Sequence, residues 1–162
     1  MPDTPTVQDI AHIMGLTARA QPQETYAAIG ALAGRLFDHN LFTVTRSIHA
    51  TQEVERVYSS NQAAYRIGGR KQKRDTPWGE QVLDRGEILI CHNPADIRRV
   101  FADHALILSL GITAMINVPV LFAGRSVATM NMSHARDRFS SADYPAMNIL
   151  AGLLLPLVLS VR

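Results

Sequence analysis

The sequence predicts an α+β domain, an antiparallel sheet with helices packed on one side and terminal helices on the other. Two pairs of apolar, β-prone runs follow each other across short links, Leu41–Ile48 with 54–58 and Ala114–Phe122 with 126–134. Strands joined by short links pair antiparallel, because a parallel pair needs a long crossover. Helical patterns lie to either side of these pairs instead of alternating with single strands, which argues against a doubly wound parallel sheet.

A short helix is expected near the start of the chain. Thr6 can cap it, Asp9 lies three residues further on, and Gly15 is a natural stop after Met14. The first ten residues carry two aspartates and no apolar run, so they do not resemble a secretory signal peptide.

A second helix is predicted from Pro22 to about Asp38. Its two glycines, Gly30 and Gly34, each lower helix propensity by up to about 1 kcal/mol, which indicates close contact with a neighbouring element. Two interpretations stay open: the helix lies tightly on the sheet, or it pairs with its copy in a dimer. The predicted buried stripe, at i, i+3, i+4 spacing, consists of Tyr26, Ile29, Leu32, Ala33, Leu36 and Phe37.

A glycine- and cation-rich loop, residues 66–74, follows the first pair of strands. We expect its charges to be solvated and offset by nearby glutamates; contact with a phosphate above a pocket is the alternative. Thr76 and Pro77 then begin a helix that ends before Gly86, and residues 87–91 form the third strand. Asn93 caps another helical stretch, a break lies near 101–103, and a further helix covers 104–110.

The second pair of strands forms a hairpin whose turn, residues 123–125, uses Gly124 for a positive φ. Pro119 cannot donate to a ladder and should lie at a bulge or an unpaired position. The terminal helix begins near Phe139, and its end, residues 149–161, is very apolar. That run is shorter than the roughly 20 residues of a membrane-spanning helix and contains Pro156, so we interpret it as a packing and pairing element.

Residues 76–90 and 111–135 resemble, in this order, the core of a GAF domain, the small α+β module that senses signals and binds effectors. The matching pieces are residues 79–82, Gly86-Glu87 before an apolar strand, and residues 117–120 before the turn at Gly124-Arg125. PAS and profilin-like folds share parts of this pattern. The resemblance implies a single GAF-like domain over residues 21–162, preceded by an N-terminal helical extension over residues 1–20.

Composition sets broad limits on function. The chain has 162 residues, 47% of them apolar and 19% charged, which is typical of one soluble globular domain. A net charge of +2 is too small to indicate nucleic-acid binding. A single cysteine excludes an internal disulfide and fits a cytoplasmic protein.

The resemblance implies a ligand pocket between the sheet and the loops and short helices that cover it. Aromatic and aliphatic walls with a few convergent polar groups are typical of such pockets. The alternative is that Trp78 and Ile107 are simply core residues. We expect Trp78 to lie close to Asn117. The candidate wall residues are Tyr58, Trp78, Phe101, Asp103, His104, Ile107, Asn117 and Thr129.

Asp103 and His104 could bind a polar group of a ligand, but Asp103 is more simply the N-cap of the helix that follows. Some GAF domains attach a bilin through a Cys-His pair, yet the positions that match it here contain no thiol. Cys91-His92 lies upstream, at the end of a strand. Neither a bilin nor a haem is supported, and disulfide-exchanging methionine sulfoxide reduction needs a second cysteine.

A metal site is not expected. His49, His92 and His134 each follow a predicted strand, and ends of antiparallel strands alternate between opposite edges of the sheet. The sequence has no P-loop, no Gly-x-Ser-x-Gly elbow and no paired carboxylates, so no catalytic residues are assigned.

The sequence therefore predicts a stand-alone, cytoplasmic sensor that binds an unidentified small molecule, dimerises through its terminal helices and signals through another protein. No nucleic-acid or membrane partner is expected. The alternatives are a redox or metabolite-modifying enzyme on the same scaffold, using Cys91 or Asp103 with His104, and a structural interaction module whose pocket is filled by its own side chains.

Overall fold

The computed structural model describes residues 3–73 and 75–160. These residues form five α-helices around one six-stranded sheet. The helices are α1 (Val7–Arg19), α2 (Pro22–Phe37), α3 (Pro94–Val100), α4 (His104–Ser109) and α5 (Tyr144–Leu159). The strands are β1 (Leu41–Ile48), β2 (Glu53–Ser59), β3 (Arg70–Gln72), β4 (Leu89–Cys91), β5 (Ala114–Phe122) and β6 (Arg125–His134).

The sheet has the order β3-β2-β1-β6-β5-β4, and every neighbouring pair is antiparallel. This confirms the predicted α+β fold. The hairpin of β5 and β6 turns through Ala123 and Gly124, whose φ angles of 49° and 77° are those of a type I′ turn.

β3 corrects the prediction of a loop over residues 66–74. Arg70, Lys71 and Gln72 pair with Glu55, Val54 and Glu53 and so add a short edge strand to the sheet. Three consecutive polar residues carry no β pattern, but an edge strand needs only free backbone groups on its neighbour. Arg74, the last cation of the predicted loop, lies outside the described residues.

The first helix begins as predicted but ends later. Thr6 and Asp9 form a reciprocal capping box. The helix continues through Gly15, the predicted stop, to Arg19. The carbonyl of Gly15 accepts a hydrogen bond from the Arg19 guanidinium, and the chain leaves the helical conformation only at Ala20.

The glycines of α2 contact other parts of this molecule, and Gly30 is buried. A Cβ on Gly30 would be 3.1 Å from Cδ1 of Phe42 on β1, and one on Gly34 would be 3.4 Å from the His39 ring. Of the two interpretations left open by the sequence, close packing of the helix is therefore the correct one for Gly30.

The two faces of the sheet support separate clusters of buried side chains. One face packs against α1, α2 and α5 through a core that includes Phe42, Val44, Ile116, Val118 and Met130. We call it the helical face. The other face packs against α3, α4 and the segment around Trp78, and its cluster includes Val54, Cys91, Ile107 and Met115. We call it the cavity face.

α5 is a core helix. Its buried residues include Met147, Leu150 and Leu154, which are fully buried against the helical face. The stretch Ser141–Leu159 has a mean hydropathy of 1.5 and is long and apolar enough to cross a membrane by length and composition, contrary to the shorter run counted from the sequence. A helix in the core of a soluble protein meets the same criteria.

The segment before β4 holds Trp78 on the cavity face. As predicted, Thr76 begins it: its Oγ1 accepts a hydrogen bond from the amide of Gly79 at 3.0 Å. A short helical segment with π-type hydrogen bonding, Gly79–Asp84, follows. Gly79 is required here, because a Cβ would be 2.2 Å from the carbonyl oxygen of Lys73.

Candidate functional site

A partly enclosed cavity lies at the centre of the cavity face, roofed by Trp78, Phe101 and Ile107. The cavity has a volume of about 70 Å³, which is enough for several water molecules. We call it the central cavity. Its other walls are Thr43, Thr45, Val54, Arg56, Gly69, Lys71, Lys73, Asp103, Met115, Asn117 and Asn131.

Five of the eight residues proposed from the sequence line this cavity. They are Trp78, Phe101, Asp103, Ile107 and Asn117. They come from three separate parts of the chain: the segment before β4, the stretch from the end of α3 into α4, and the middle of β5.

Tyr58 does not line the cavity, and a β-bulge is the reason. Val44 pairs with Tyr58 while Thr45 pairs with Arg56, so Val57 is an extra residue in β2. One extra residue exchanges the faces of the side chains beyond it. Tyr58 therefore points to the helical face, where its ring stacks on Tyr26 at 5.8 Å.

Thr129 and His104 also lie outside the cavity lining. Thr129 is fully buried, and its hydroxyl is hydrogen-bonded to that of Thr45, which does reach the cavity. His104 begins α4 and is partly exposed.

Trp78 fixes the orientation of Asn117. The indole Nε1–H donates to Oδ1 of Asn117 at 2.9 Å, and both residues are buried. Since an indole can only donate, the amide oxygen must face Trp78, and the NH₂ group is left for the cavity. Nδ2 of Asn117 is buried and has no hydrogen-bond partner within residues 3–73 and 75–160.

Asn131 lies directly opposite Asn117 in the register of β5 and β6. Its Nδ2 donates to Oγ1 of Thr43 at 3.3 Å. Its Oδ1 is buried and accepts no hydrogen bond from the described part of the chain. The two amides therefore leave one unused donor group and one unused acceptor beside the same cavity.

Arg56 brings a positive charge to the cavity from the middle of β2. Its guanidinium carbon lies 4.7 Å from the centre of the Tyr65 ring, and one terminal nitrogen donates to the carbonyl of Arg66 at 3.2 Å. These contacts fix the plane of the group. Its Nε is buried and donates to no acceptor among the described residues.

Asp103 has a different role from the predicted cap. It precedes α4, but its side chain makes no capping hydrogen bond. Instead it forms an ion pair with Lys71 of β3. Burial would raise the pKa of this carboxyl, but Lys71 and then Lys73 outweigh burial and hold the pKa below its usual value.

Lys73 lies against the outer side of Trp78, with Nζ 3.9 Å from the ring centre. Burial, followed by the charge of Lys71, lowers the pKa of this lysine to about 8. A second depression beside the cavity shares Lys71, Lys73, Trp78, Phe101 and Asp103 with it. These five side chains therefore form the wall between the two.

Cys91 and the strand-end histidines take no part in the cavity lining. Cys91 is fully buried, and burial raises the pKa of its thiol to about 12, so it is a poor nucleophile. His92 pairs with Asp137 at 2.8 Å. Within the described residues, no group of three histidine, cysteine or acidic side chains could hold a metal ion.

The sequence analysis found Asp103 and Asn117 but missed most of the polar wall, although it offered the loop over residues 66–74 as a phosphate contact above a pocket. The polar residues not proposed as wall residues are Thr43, Thr45, Arg56, Lys71, Lys73 and Asn131. One signal was present: Arg56 is two residues from Val54 on a predicted strand, and a cation on the same face as a buried valine indicates a partly buried charge.

The family of the chain follows from comparison with known proteins. The GAF_2 family model, described as GAF domain, matches residues 19–155. The chain belongs to the GAF domain family. No curated protein sequence matches it.

Solved GAF domains share this fold at low sequence identity. The GAF domain of the phosphoenolpyruvate-protein phosphotransferase from Coxiella burnetii superimposes with a TM-score of 0.75 at 10% identity, over 95% of this chain and 93% of that one. The Acinetobacter counterpart gives 0.73 at 12%, over 94% and 92%. A phycoerythrobilin-bound GAF domain from a cyanobacterial phytochrome gives 0.70 at 12%, over 94% of both chains.

GAF domains are in general sensory or regulatory modules, and structural neighbours of this one include domains of phytochromes and of a methyl-accepting chemotaxis protein. At identities of this order the likeness concerns the fold. The chemistry of this site has to be derived from its own residues.

Proposed function

We propose that this GAF domain is a sensor that binds a small molecule in the central cavity. The observation that carries the proposal is a set of three buried and unpartnered atoms beside that cavity: Nε of Arg56, Nδ2 of Asn117 and Oδ1 of Asn131. A buried polar atom without a partner destabilises a fold by about 1–3 kcal/mol. A ligand that pairs with all three would remove this cost.

The same observation argues against a structural module whose cavity is filled by its own side chains. Filling by the protein's own side chains would leave no unpartnered polar atoms facing an open cavity. An enzymatic role has no support in the geometry, because Cys91 is buried and protonated and Asp103 is occupied by Lys71.

Trp78 gives the proposal a direct test, since it is the only tryptophan and lies in the cavity wall. A metabolite library is screened by thermal unfolding and by tryptophan emission. A ligand at 100 times its Kd stabilises the fold by about 2.7 kcal/mol, which raises the Tm of a chain of this size by about 5–10 °C. A library that changes neither signal contradicts the sensor and favours the scaffold.

We propose in addition that the domain is a cytoplasmic homodimer and passes its signal on by association. The support is an apolar outer surface on the two terminal helices: Val7 and Met14 of α1 are 78% and 61% exposed, and Ile149 and Leu159 of α5 are 37% and 46% exposed. α1 and α5 contact each other, and in this proposal both helices contribute to the interface.

The dimer is tested by Ile149→Asp, with Leu106→Asp on α4 as the matched control. Leu106 is 42% exposed, close to the value for Ile149, but it lies with α4 over the cavity face. Sedimentation at micromolar concentration should give a dimer for the native chain and the control, and a monomer for Ile149→Asp. Leu154 and Leu157 are unsuitable positions, because both are buried in the core. A monomeric native chain contradicts this part of the proposal.

A further inference from the structure

The central cavity differs from an ordinary apolar pocket because its lining carries an excess of positive charge. Three cationic side chains line it, Arg56, Lys71 and Lys73, against one carboxylate, Asp103. Asp103 is already paired with Lys71. Arg56 and Lys73 therefore face the cavity region with no carboxylate partner among the described residues.

The neighbouring cations do have such partners. Arg46 pairs with Glu55 at 2.5 Å, and Arg70 lies 3.7 Å from carboxylate oxygens of Glu53 and Glu55. None of these four residues lines the cavity. The glutamates of β2 thus pair with cations outside the cavity, while within the described residues neither Arg56 nor Lys73 has a carboxylate at ion-pair distance.

The unused hydrogen-bonding atoms also favour a negatively charged ligand. Nε of Arg56 and the NH₂ group of Asn117 are donors, and they suit an acceptor that carries negative charge. Oδ1 of Asn131 is an acceptor, and it requires an N–H or O–H on the same ligand. The apolar part of the wall, Trp78, Phe101 and Ile107, suits a short carbon skeleton between these two polar ends.

We propose that the central cavity binds a small organic carboxylate that also carries a hydroxyl, amide or amino group. The carboxylate lies between Arg56 and the amide nitrogen of Asn117, and the donor group lies at the amide oxygen of Asn131. Lys73, beside Trp78 in the wall, adds a second positive charge. This inference rests on the proposed sensor function and specifies its ligand.

The first test uses matched small molecules as probes. Malate carries both features, succinate lacks the hydroxyl, and malamide lacks the charge; the same triads are made for two- to six-carbon hydroxy and amino acids, with inorganic phosphate as a further anion. We expect at least one hydroxy or amino acid to raise the Tm, its deoxy analogue to bind at least tenfold more weakly, and its amide not to bind.

The outcomes separate the two proposals. Stabilisation only by neutral or cationic compounds in the wider library contradicts the carboxylate and leaves the sensor standing. Binding of phosphate in preference to every carboxylate also contradicts it. If no compound of any class binds, the sensor function fails and this inference fails with it.

The second test needs no knowledge of the ligand. Asn117→Asp keeps the oxygen that accepts from Trp78 and replaces only the unpartnered NH₂ group with a second carboxylate oxygen. If the cavity is built for an anion, this variant supplies one, and the ligand-free protein should unfold at a Tm equal to or above that of the native chain at pH 7. It should also lose binding of every carboxylate probe by at least tenfold.

Two controls complete the design. Arg56→Met should abolish binding of the carboxylate, while Arg70→Met, which removes a cation outside the cavity, should leave the Kd within twofold. A Tm of Asn117→Asp well below the native value, as expected for an unpaired buried charge, overturns the inference. So does equal loss of binding in the two arginine variants.

Discussion

On the helical face of the sheet, Phe42, Ile116 and Met130 are fully buried beneath α1, α2 and α5. On the cavity face, strand residues at the alternate positions include Thr43, Asn117 and Asn131, which are polar and line a cavity. Both sets of side chains come from the same strands, and they differ only in the face of the sheet to which their positions direct them. The helical face packs an apolar core beneath the helices, whereas the cavity face borders a cavity lined by donors, an acceptor and charges that the described residues do not satisfy.

This difference indicates that stability and ligand recognition are divided between the two faces. Period-2 alternation sends each second residue of a strand to the opposite side, so neighbouring positions can serve the two purposes independently. The division can be tested by variants that change one face at a time.

The largest effect is expected from Ile116→Ala, with its strand neighbour Asn117→Ala as the comparison. Ile116 is fully buried on the helical face, and its truncation should lower the free energy of unfolding by about 2–5 kcal/mol without changing ligand affinity in the folded protein. Asn117→Ala removes the acceptor of the Trp78 indole and should lower the free energy of unfolding by about 1–3 kcal/mol. It should also abolish stabilisation by the ligand. Urea unfolding with and without a stabilising probe measures both, and equal loss of binding in the two variants contradicts the division.

A smaller effect is expected from Gly79→Ala, with Gly152→Ala on α5 as the control. A Cβ on Gly79 would lie 2.2 Å from the carbonyl oxygen of Lys73, whereas one on Gly152 would meet nothing within 4 Å. The first should cost about 1–3 kcal/mol and shift the emission of Trp78. The second should raise stability by up to about 1 kcal/mol. Unchanged Trp78 emission in Gly79→Ala would show that the segment does not depend on this contact.

Much of this architecture could be predicted from the sequence. The hairpin of β5 and β6, the helices α2 and α5, and the proximity of Trp78 and Asn117 all followed from long periodic runs, from turn and capping residues, and from the resemblance to GAF domains. Such signals are local and strong, so they survive tertiary packing.

The rest could not be predicted for physical reasons. A single extra residue, Val57, turns Tyr58 to the other face of the sheet, and no local sequence pattern predicts such a bulge. β3 is three polar residues that pair only because β2 has a free edge. Asp103 has the spacing of a cap, yet the carboxylate pairs with Lys71, which lies 32 positions earlier in the chain. An ion pair between residues that are distant in the sequence cannot be predicted from a local sequence pattern.

The smallest effect concerns pH. The folded-state pKa of Lys73 is about 8, below the ordinary lysine value of 10.5, mainly because of burial. Its positive charge is therefore present below pH 8 and lost above it, so the Kd of a bound carboxylate should rise above pH 8 by up to about tenfold per pH unit. Isothermal titration between pH 7 and 9 measures this, and Lys73→Arg should flatten the profile. An equally steep profile in Lys73→Arg assigns the effect to another group.

The lowered pKa of Lys73 also affects the stability of the fold. With rising pH this contribution to stability increases, whereas the affinity for a carboxylate decreases. Between pH 8 and 10.5 the unfolded chain binds more protons at Lys73 than the folded chain, so this residue's contribution to the free energy of unfolding increases as the pH rises through that window. The charged and titratable groups around it belong to several elements: Lys71, Asp103 and Arg56 on the cavity side, and Glu53, Asp75, Asp84 and His49 around a depression that Lys73 also lines.

The central claim is that the unsatisfied atoms of the cavity face belong to a ligand site. The most direct measurement is a crystal structure of the protein grown with the carboxylate that stabilises it most. The account predicts density for that molecule in contact with Nε of Arg56, Nδ2 of Asn117 and Oδ1 of Asn131. A cavity closed by its own side chains, or density at a different site, would contradict it.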